Sequence, residues 1–297
     1  MPLIYLRSPI SGVGLKSLPM CEYGGPLLSP DVDGERAPGE VVRKVLRLAK
    51  RLGADYVEVR APLDDRVLKA LIRHGFRRHR TYVTFKIELG RGVKCLWRSL
   101  NKKVRNAIRK AIRSGLEVLD ARGEAALRAF YRLHLMVSKR LGSPPHSLRF
   151  FREMWVRMTE KRAKLLMAIY DGMAIGAILL LRHKDKLYWR AGVMDDRFRH
   201  LNPTNLLLWR AMEMGAEEGL MELDLGRTRR GTGIYLFKSR WGGKEVYLRD
   251  YIWFSGRARE LPEPYYSRYA YLSKPWSLVP ISLSSKIGWV ILKAIGF

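Results

Sequence analysis

"AKLLMAIYDGMAIGAILLLRHKDKLYWRAGVMD", residues 163–195, decides the fold. Three largely apolar runs are separated by Asp171-Gly172 and Lys184-Asp185. Two-residue connections of this kind turn a strand back on its neighbour, so the stretch predicts a three-stranded antiparallel meander. "NPTNLLLWRAMEMGAEEG" (202–219) follows, with Pro203 near its start and Gly219 at its end, the asymmetry of a helix. "LMELDLGRT" (220–228) predicts a strand, "IYLFKSRWGG" (234–243) a short helix or turn, and "EVYLRDYIWF" (245–254) a closing strand.

Upstream of the meander, "LWRSLNKKVRNAIRKAIRSG" (96–115) reads as one helix. Trp97, Leu100, Val104, Ile108 and Ala111 form its apolar stripe. "LEVLDARG" (116–123) is a strand, and helices over 124–142 and 148–162 flank "SPPHS". Nearer the N-terminus the order is shorter. Strands at "LIYLRS" (3–8) and "GLKSLPM" (14–20) precede a Gly/Pro-rich loop (21–40). A helix (39–53), a strand (54–62), a helix (63–75) and a strand (79–89) complete it, with Gly53 and Gly75 as helix stops. The two element orders partly repeat, which predicts two related α/β units around mixed, mostly antiparallel sheets. The boundaries read from the sequence are 1–92, 93–255 and a C-terminal tail, 256–297, that carries an apolar helix.

Charge is the outlying property. The chain has 297 residues, with 56 Lys and Arg against 28 Asp and Glu, a net charge of +28. Hydrophobic residues at 47% rule out disorder as the default. An excess of that size attracts polyanions such as nucleic acid or acidic lipid. Its densest expression is the helix from 96, where Arg98, Lys102, Arg105, Arg109 and Arg113 recur on one face without an acid between 98 and 113. Surface helices ordinarily intersperse acids to gain i,i+4 pairs, so Lys102, Arg105 and Arg109 are candidates for phosphate contact. A solvated face is the alternative.

Two cysteines, Cys21 and Cys95, form no metal or disulfide pattern, and the six histidines are scattered, so no metal is expected. The N-terminus lacks the charged and apolar regions of a signal peptide, and a cytoplasmic protein is expected. "WSLVPISLSSKIGWVILKAIGF" (276–297) is the most apolar stretch, and Lys286 and Lys293 interrupt it. It leaves two readings open: a helix packed on the last domain, or an interfacial helix that brings the protein to the inner face of an anionic membrane.

Several stretches, in order, resemble FemAB-like transferases of the GNAT fold, including the BioF2-like acetyltransferase domain. They are "LKSLPMCEYGGPLL" (15–28), "LWRSLNKKVRNAIRKAIRSGLEV" (96–118), "RLGSPPHSLRFF" (140–151) and "LDLGRTRRGTGIYLFKSRWGG" (223–243). The resemblance implies tandem GNAT-like domains, the first truncated at its N-terminus, since family members carry a further helix and strand there. It implies an acyl- or aminoacyltransferase acting on an amine of a cell-envelope precursor or polymer. The donor would be aminoacyl-tRNA or acyl-CoA as co-substrate, with no bound cofactor and with tRNA or another polyanion as partner. An acetyl-CoA-dependent N-acetyltransferase is the alternative, and a non-catalytic RNA-binding module a second.

By the same resemblance, the Phe-Lys lysine of the family lies in the transfer site, and Lys238 matches it. A cation fixed in a dry site stabilises an oxyanion by about 3 kcal/mol. Tyr235, Phe237 and Trp241 would shield it, with Tyr235 and Trp241 contacting substrate. The residues themselves add further candidates. Asp224 alternates with Leu223 and Leu225 on its strand and is a candidate general base, or a structural partner of Arg227. Arg227, Arg229 and Arg230 form a basic loop suited to phosphate. Tyr188 and Arg190 alternate on one strand face as substrate contacts. Arg140 is a candidate by position, and Tyr23 and Arg60 would frame the acceptor. GNAT enzymes bind the CoA pyrophosphate on a glycine-bearing loop before the helix after the meander. Here that place reads "RHLNPTNLL" (199–207), with Asn202, Pro203 and Thr204 in it, which weighs against acetyl-CoA.

Overall fold

The computed structural model describes residues 1–9, 11–29, 31, 36–256 and 276–294, and excludes the side chains of 159–161 and 293. The chain forms two compact units. One comprises Met1–Val83, Tyr247–Ala270 and Val290–Phe297, the other Thr84–Val246 and Tyr271–Trp289. The class is the one expected, mixed α/β with mostly antiparallel strands.

In the first unit, β1 (Ile4–Ser8) and β2 (Gly12–Lys16) form an antiparallel hairpin. β2 runs parallel to β3 (Tyr56–Val59), which pairs antiparallel with the end of β10 (Lys244–Phe254). Helices α1 (Arg36–Arg51) and α2 (Asp65–Arg73) carry the crossovers. Their apolar faces bury Val42, Val45, Ala49, Val67, Ala70 and Leu71 against Val57 and Val59. Gly53 and Gly75 end the helices at φ 62° and 84°, the left-handed region that a side chain disfavours.

The second unit is built on the strand order β4-β9-β8-β7-β6-β5. β4 is Arg77–Glu88, of which the part from Thr84 belongs to this unit, β5 Glu117–Ala121, β6 Ala163–Tyr170, β7 Met173–His183, β8 Lys186–Met194 and β9 Glu222–Asp224. The meander β6-β7-β8 is antiparallel throughout, with Asp171 and Lys184 at φ 48° and 53° in its turns. Helices α5 (Gly123–Arg140) and α6 (Leu148–Arg162) cover one face through Leu127, Phe130, Leu133 and Phe151. Helix α7 (Pro203–Glu217) buries Leu206, Leu207, Leu208, Trp209, Ala211 and Met212.

The single helix expected over 96–115 is two: α3 (Val93–Ser99) and α4 (Lys102–Arg113). Leu100 is extended at ψ 143°, and the Asn101 side chain accepts a hydrogen bond from the Lys103 N–H, capping α4. The capping bond offsets the break, which the apolar spacing alone does not reveal. The strand expected over 220–228 is continuous only over Glu222–Asp224. A short helix α8 (Gly233–Lys238) follows, and the last helix is α9 (Ile281–Ala294).

Candidate functional site

β8 and β9 run parallel for three residues only, Lys186–Tyr188 beside Glu222–Asp224. Beyond that the strands part. β8 continues along β7 to Met194, while Leu225 turns to the other neighbour and its N–H donates to Phe85 O at 3.0 Å. The register between β7 and β8 shifts by one residue between Leu179 and Leu180, so Arg190 is an extra residue, a β-bulge. Such a bulge bends its strand, here just where the two strands diverge.

Lys238 stands at this fork. It ends α8, is only 6% exposed, and its ammonium donates to Gly226 O at 2.9 Å and Arg227 O at 3.4 Å. The Trp189 ring lies 5.5 Å from the same nitrogen and 6.1 Å from the Phe237 ring. A cation over an indole face is attracted by the ring quadrupole, more strongly when dehydrated. Gly192 has to be glycine, because a Cβ there would lie 2.6 Å from the Trp189 indole. The local sequence explains the placement: Thr232 caps α8 through its side chain and Tyr235 N, and Gly226 turns the chain at φ 73°.

Asp224 is 1% exposed on the same turn. Its Oδ1 accepts hydrogen bonds from the Thr84 hydroxyl and from Gly226 N, the latter at 2.8 Å. One carboxylate oxygen thus ties β4 to the residue whose carbonyl holds Lys238. Thr84 and Trp189 were not among the residues singled out from the sequence. Both act across strands, where no local spacing points to them.

The other expected site residues divide. Tyr235 donates from its hydroxyl to Glu245 Oε2 at 2.9 Å, and Arg230 contacts Glu245 Oε1 at 2.6 Å, so one carboxylate joins them. Arg227 and Arg229 are half-buried on the loop after β9. Trp241 is fully buried against Phe237, its indole N–H without a hydrogen-bond partner among the described residues. Burial this complete leaves no exposed surface for the direct substrate contact expected from the sequence. The Arg190 guanidinium lies 5.8 Å from the Phe150 ring on α6, and the buried Trp189 is the β8 side chain against Lys238. Arg140 is 3.9 Å from Asp196.

On α4, Arg105 donates to Arg98 O and Trp97 O, closing the end of α3, and Arg109 lies 5.4 Å from the Trp97 ring. Lys102 is exposed, with no ion pair to a described residue. The apparent stripe of equivalent cations is therefore divided between bracing and solvent.

In the first unit, Arg60 sits 3.4 Å from the fully buried carboxylate of Glu58, and Lys16 3.8 Å from it. Burial would raise the Glu58 pKa, but Lys16, Arg60, Arg80 and His79 hold it below the usual carboxylate range. Burial lowers the Lys16 pKa. Arg60 also donates to Cys21 O at 3.2 Å, beside Tyr23. Gly24 and Gly25 are required by packing, since a Cβ would meet Ser17 O at 2.8 Å and Pro62 Cα at 2.6 Å.

Among the described residues, no group of His, Cys, Asp and Glu suits a metal ion, and no helix is long and apolar enough to cross a membrane.

Residues 98–239 match a family model described as an acetyltransferase (GNAT) domain. That segment, just under half of the chain, is similar to GNAT domains. No curated protein matches the chain in sequence. Solved structures share its fold. FemX is similar at TM-score 0.65 and 15% identity, over 83% of each chain. The C-terminal domain of a putative lysylphosphatidylglycerol synthetase from Agrobacterium fabrum is similar at 0.62 and 12%, over 84% of each. A tandem GNAT protein from the clavulanic acid biosynthesis pathway is similar at 0.58 and 10%, over 86% of this chain and 79% of that one. The fold is the GNAT fold that these structures share.

Proposed function

We propose that this GNAT-fold protein transfers an aminoacyl group from aminoacyl-tRNA to an amine of a cell-envelope precursor or polymer. The observation that carries the reading is the buried Lys238 ammonium, anchored on two carbonyls where β8 and β9 part. In the reaction the acceptor nitrogen attacks the ester carbonyl, a C–N bond forms, the ester C–O bond breaks, and the ribose hydroxyl leaves with the proton the amine gives up. Negative charge passes through the carbonyl oxygen and then the leaving oxygen. A cation already desolvated and fixed needs no reorganisation to meet it. Asp224 fits a positioning role, because its Oδ1 braces Gly226, one of the two residues whose carbonyls hold Lys238.

The start of α7 supports a donor other than acyl-CoA. Pro203 has no N–H, and the N–H groups of Asn205 and Leu206 both donate to Asn202 O at 3.1 and 3.3 Å. Asn202 itself occupies the left-handed region at φ 58°, with its N–H on Arg199 O. Few backbone donors are left for a pyrophosphate at this terminus. The putative lysylphosphatidylglycerol synthetase domain is named for an aminoacylated lipid, which fits envelope chemistry. The family model's description as an acetyltransferase favours acetyl-CoA as a second reading.

Calorimetry with acetyl-CoA, beside a transfer assay with a mixture of charged tRNAs and an envelope extract, separates the two. The proposal expects transfer of the amino acid and no micromolar heat from acetyl-CoA. Micromolar binding of acetyl-CoA with no transfer from any charged tRNA would replace it with the second reading.

A further inference from the structure

Helix α9 has one face turned inward and one that the described residues leave uncovered. Ser284 is buried, and Gly288 lies so close to Pro145 that a Cβ would meet its ring at 2.6 Å. On the opposite side Leu283, Lys286, Trp289 and Val290 are exposed, Trp289 and Val290 at 49% each. Leu283 is three residues before Lys286, and Trp289 and Val290 are three and four after it, so all four share one face. Leu278, just before the helix, is 81% exposed. Lys286 has no ion pair to a described residue, and no acid occurs anywhere between 276 and 297.

An apolar patch on a protein surface marks something that covers it. A second copy of this chain is a poor occupant. A two-fold interface centred here would bring two Lys286 ammoniums together in an apolar seam with no carboxylate from either helix. An anionic lipid surface satisfies every feature. Leu283, Trp289 and Val290 enter the boundary between headgroups and acyl chains. Lys286 lays its stem along the apolar surface and carries its charge up to the phosphates. Trp is at home at that depth, where one side is apolar and the other wet. A chain of net charge +28 is drawn to such a surface before α9 touches it.

We propose that α9 is an interfacial anchor that seats the protein on anionic lipid through Leu283, Trp289 and Val290 around Lys286. The inference stands apart from the acyl-transfer reading, because none of these residues belongs to the Lys238 site.

The test is co-sedimentation of the full chain with vesicles of phosphatidylcholine alone or with about 30% phosphatidylglycerol, in low salt and in about 0.5 M salt, where surface charges are screened. The expected result is binding to the anionic vesicles, with a part that survives high salt. Val290→Asp should remove that part, weakening binding roughly tenfold or more, with the melting temperature unchanged because the position is exposed. Trp289→Ser serves as the second variant if Val290→Asp lowers the melting temperature, and Lys286→Glu should weaken binding to the anionic vesicles selectively. Equal binding by wild type and both apolar-face variants would show that the general positive charge holds the protein, and overturns the proposal. So would an absence of vesicle binding, or a dimer that Val290→Asp dissociates.

Discussion

His134 and His146 show how much a single side chain's surroundings decide. His146 N donates to His134 Nε2 at 3.2 Å, so His134 must be unprotonated at that nitrogen. Burial, with Arg190 nearby, pushes His134 down to about 3 and His146 to about 4, from an ordinary value of 6.5. Between these values the unfolded chain binds protons that the folded one refuses. Stability is therefore full above about pH 6.5 and falls as pH drops towards 4. We expect a loss of about 4 kcal/mol between pH 6.5 and 4.5, read from denaturant midpoints. His134→Gln keeps an acceptor for His146 N and should flatten the profile by about half. An unchanged profile would show that other groups cause it. At the Lys238 site, Thr84→Val takes one donor from the buried Asp224 carboxylate and should cost about 1–3 kcal/mol in chemical denaturation. It should also slow transfer by loosening the Gly226 turn. Lys238 was legible through its Phe-Lys motif. Thr84 and Trp189 were not, because they reach Asp224 and Lys238 from other strands, which no local pattern encodes.

At the scale of elements, the turns and stops were the most readable features. Asp171-Gly172 and Lys184-Asp185 turn the meander, and Gly53, Gly75 and Gly219 close their helices in the left-handed region. In each case the chemistry is local: the backbone angle demanded by the turn selects the residue. Three features escaped. The bulge at Arg190 depends on pairing with β7, and β9 is cut to three residues by the divergence from β8. The break before α4 did carry a signal, Asn101 as a cap, but the continuous apolar stripe obscured it. Asn101→Ala should cost about 1 kcal/mol in denaturant unfolding, as loss of a cap does. No change would mean that packing alone holds the break. At α7, Asn202→Val should destabilise by about 1–2 kcal/mol while Asn202→Gly does not, since only the former strains a left-handed backbone.

Over the whole molecule, the charge of +28 was plain in the sequence, but not how it is used. Many exposed arginines are paired, as Arg152 and Arg128 are to Glu124 and Arg182 is to Glu218. Arg105 and Arg109 of α4 are spent in part on α3, which leaves Lys102 as the more available cation on that face. If this surface guides RNA, Lys102→Glu should weaken tRNA binding and reduce its salt dependence, whereas Arg109→Ala should also disturb Trp97. The fold class followed from element order, since a meander followed by helix and strand has few ways to pack. The proposed chemistry rests on one ammonium at the fork of β8 and β9. The most direct measurement is single-turnover transfer from a charged tRNA to its amine acceptor, with wild type and Lys238→Met at matched folded fractions. The account predicts a rate about 10²–10³-fold lower in the variant, with donor binding retained. Transfer at the wild-type rate by folded Lys238→Met would contradict it.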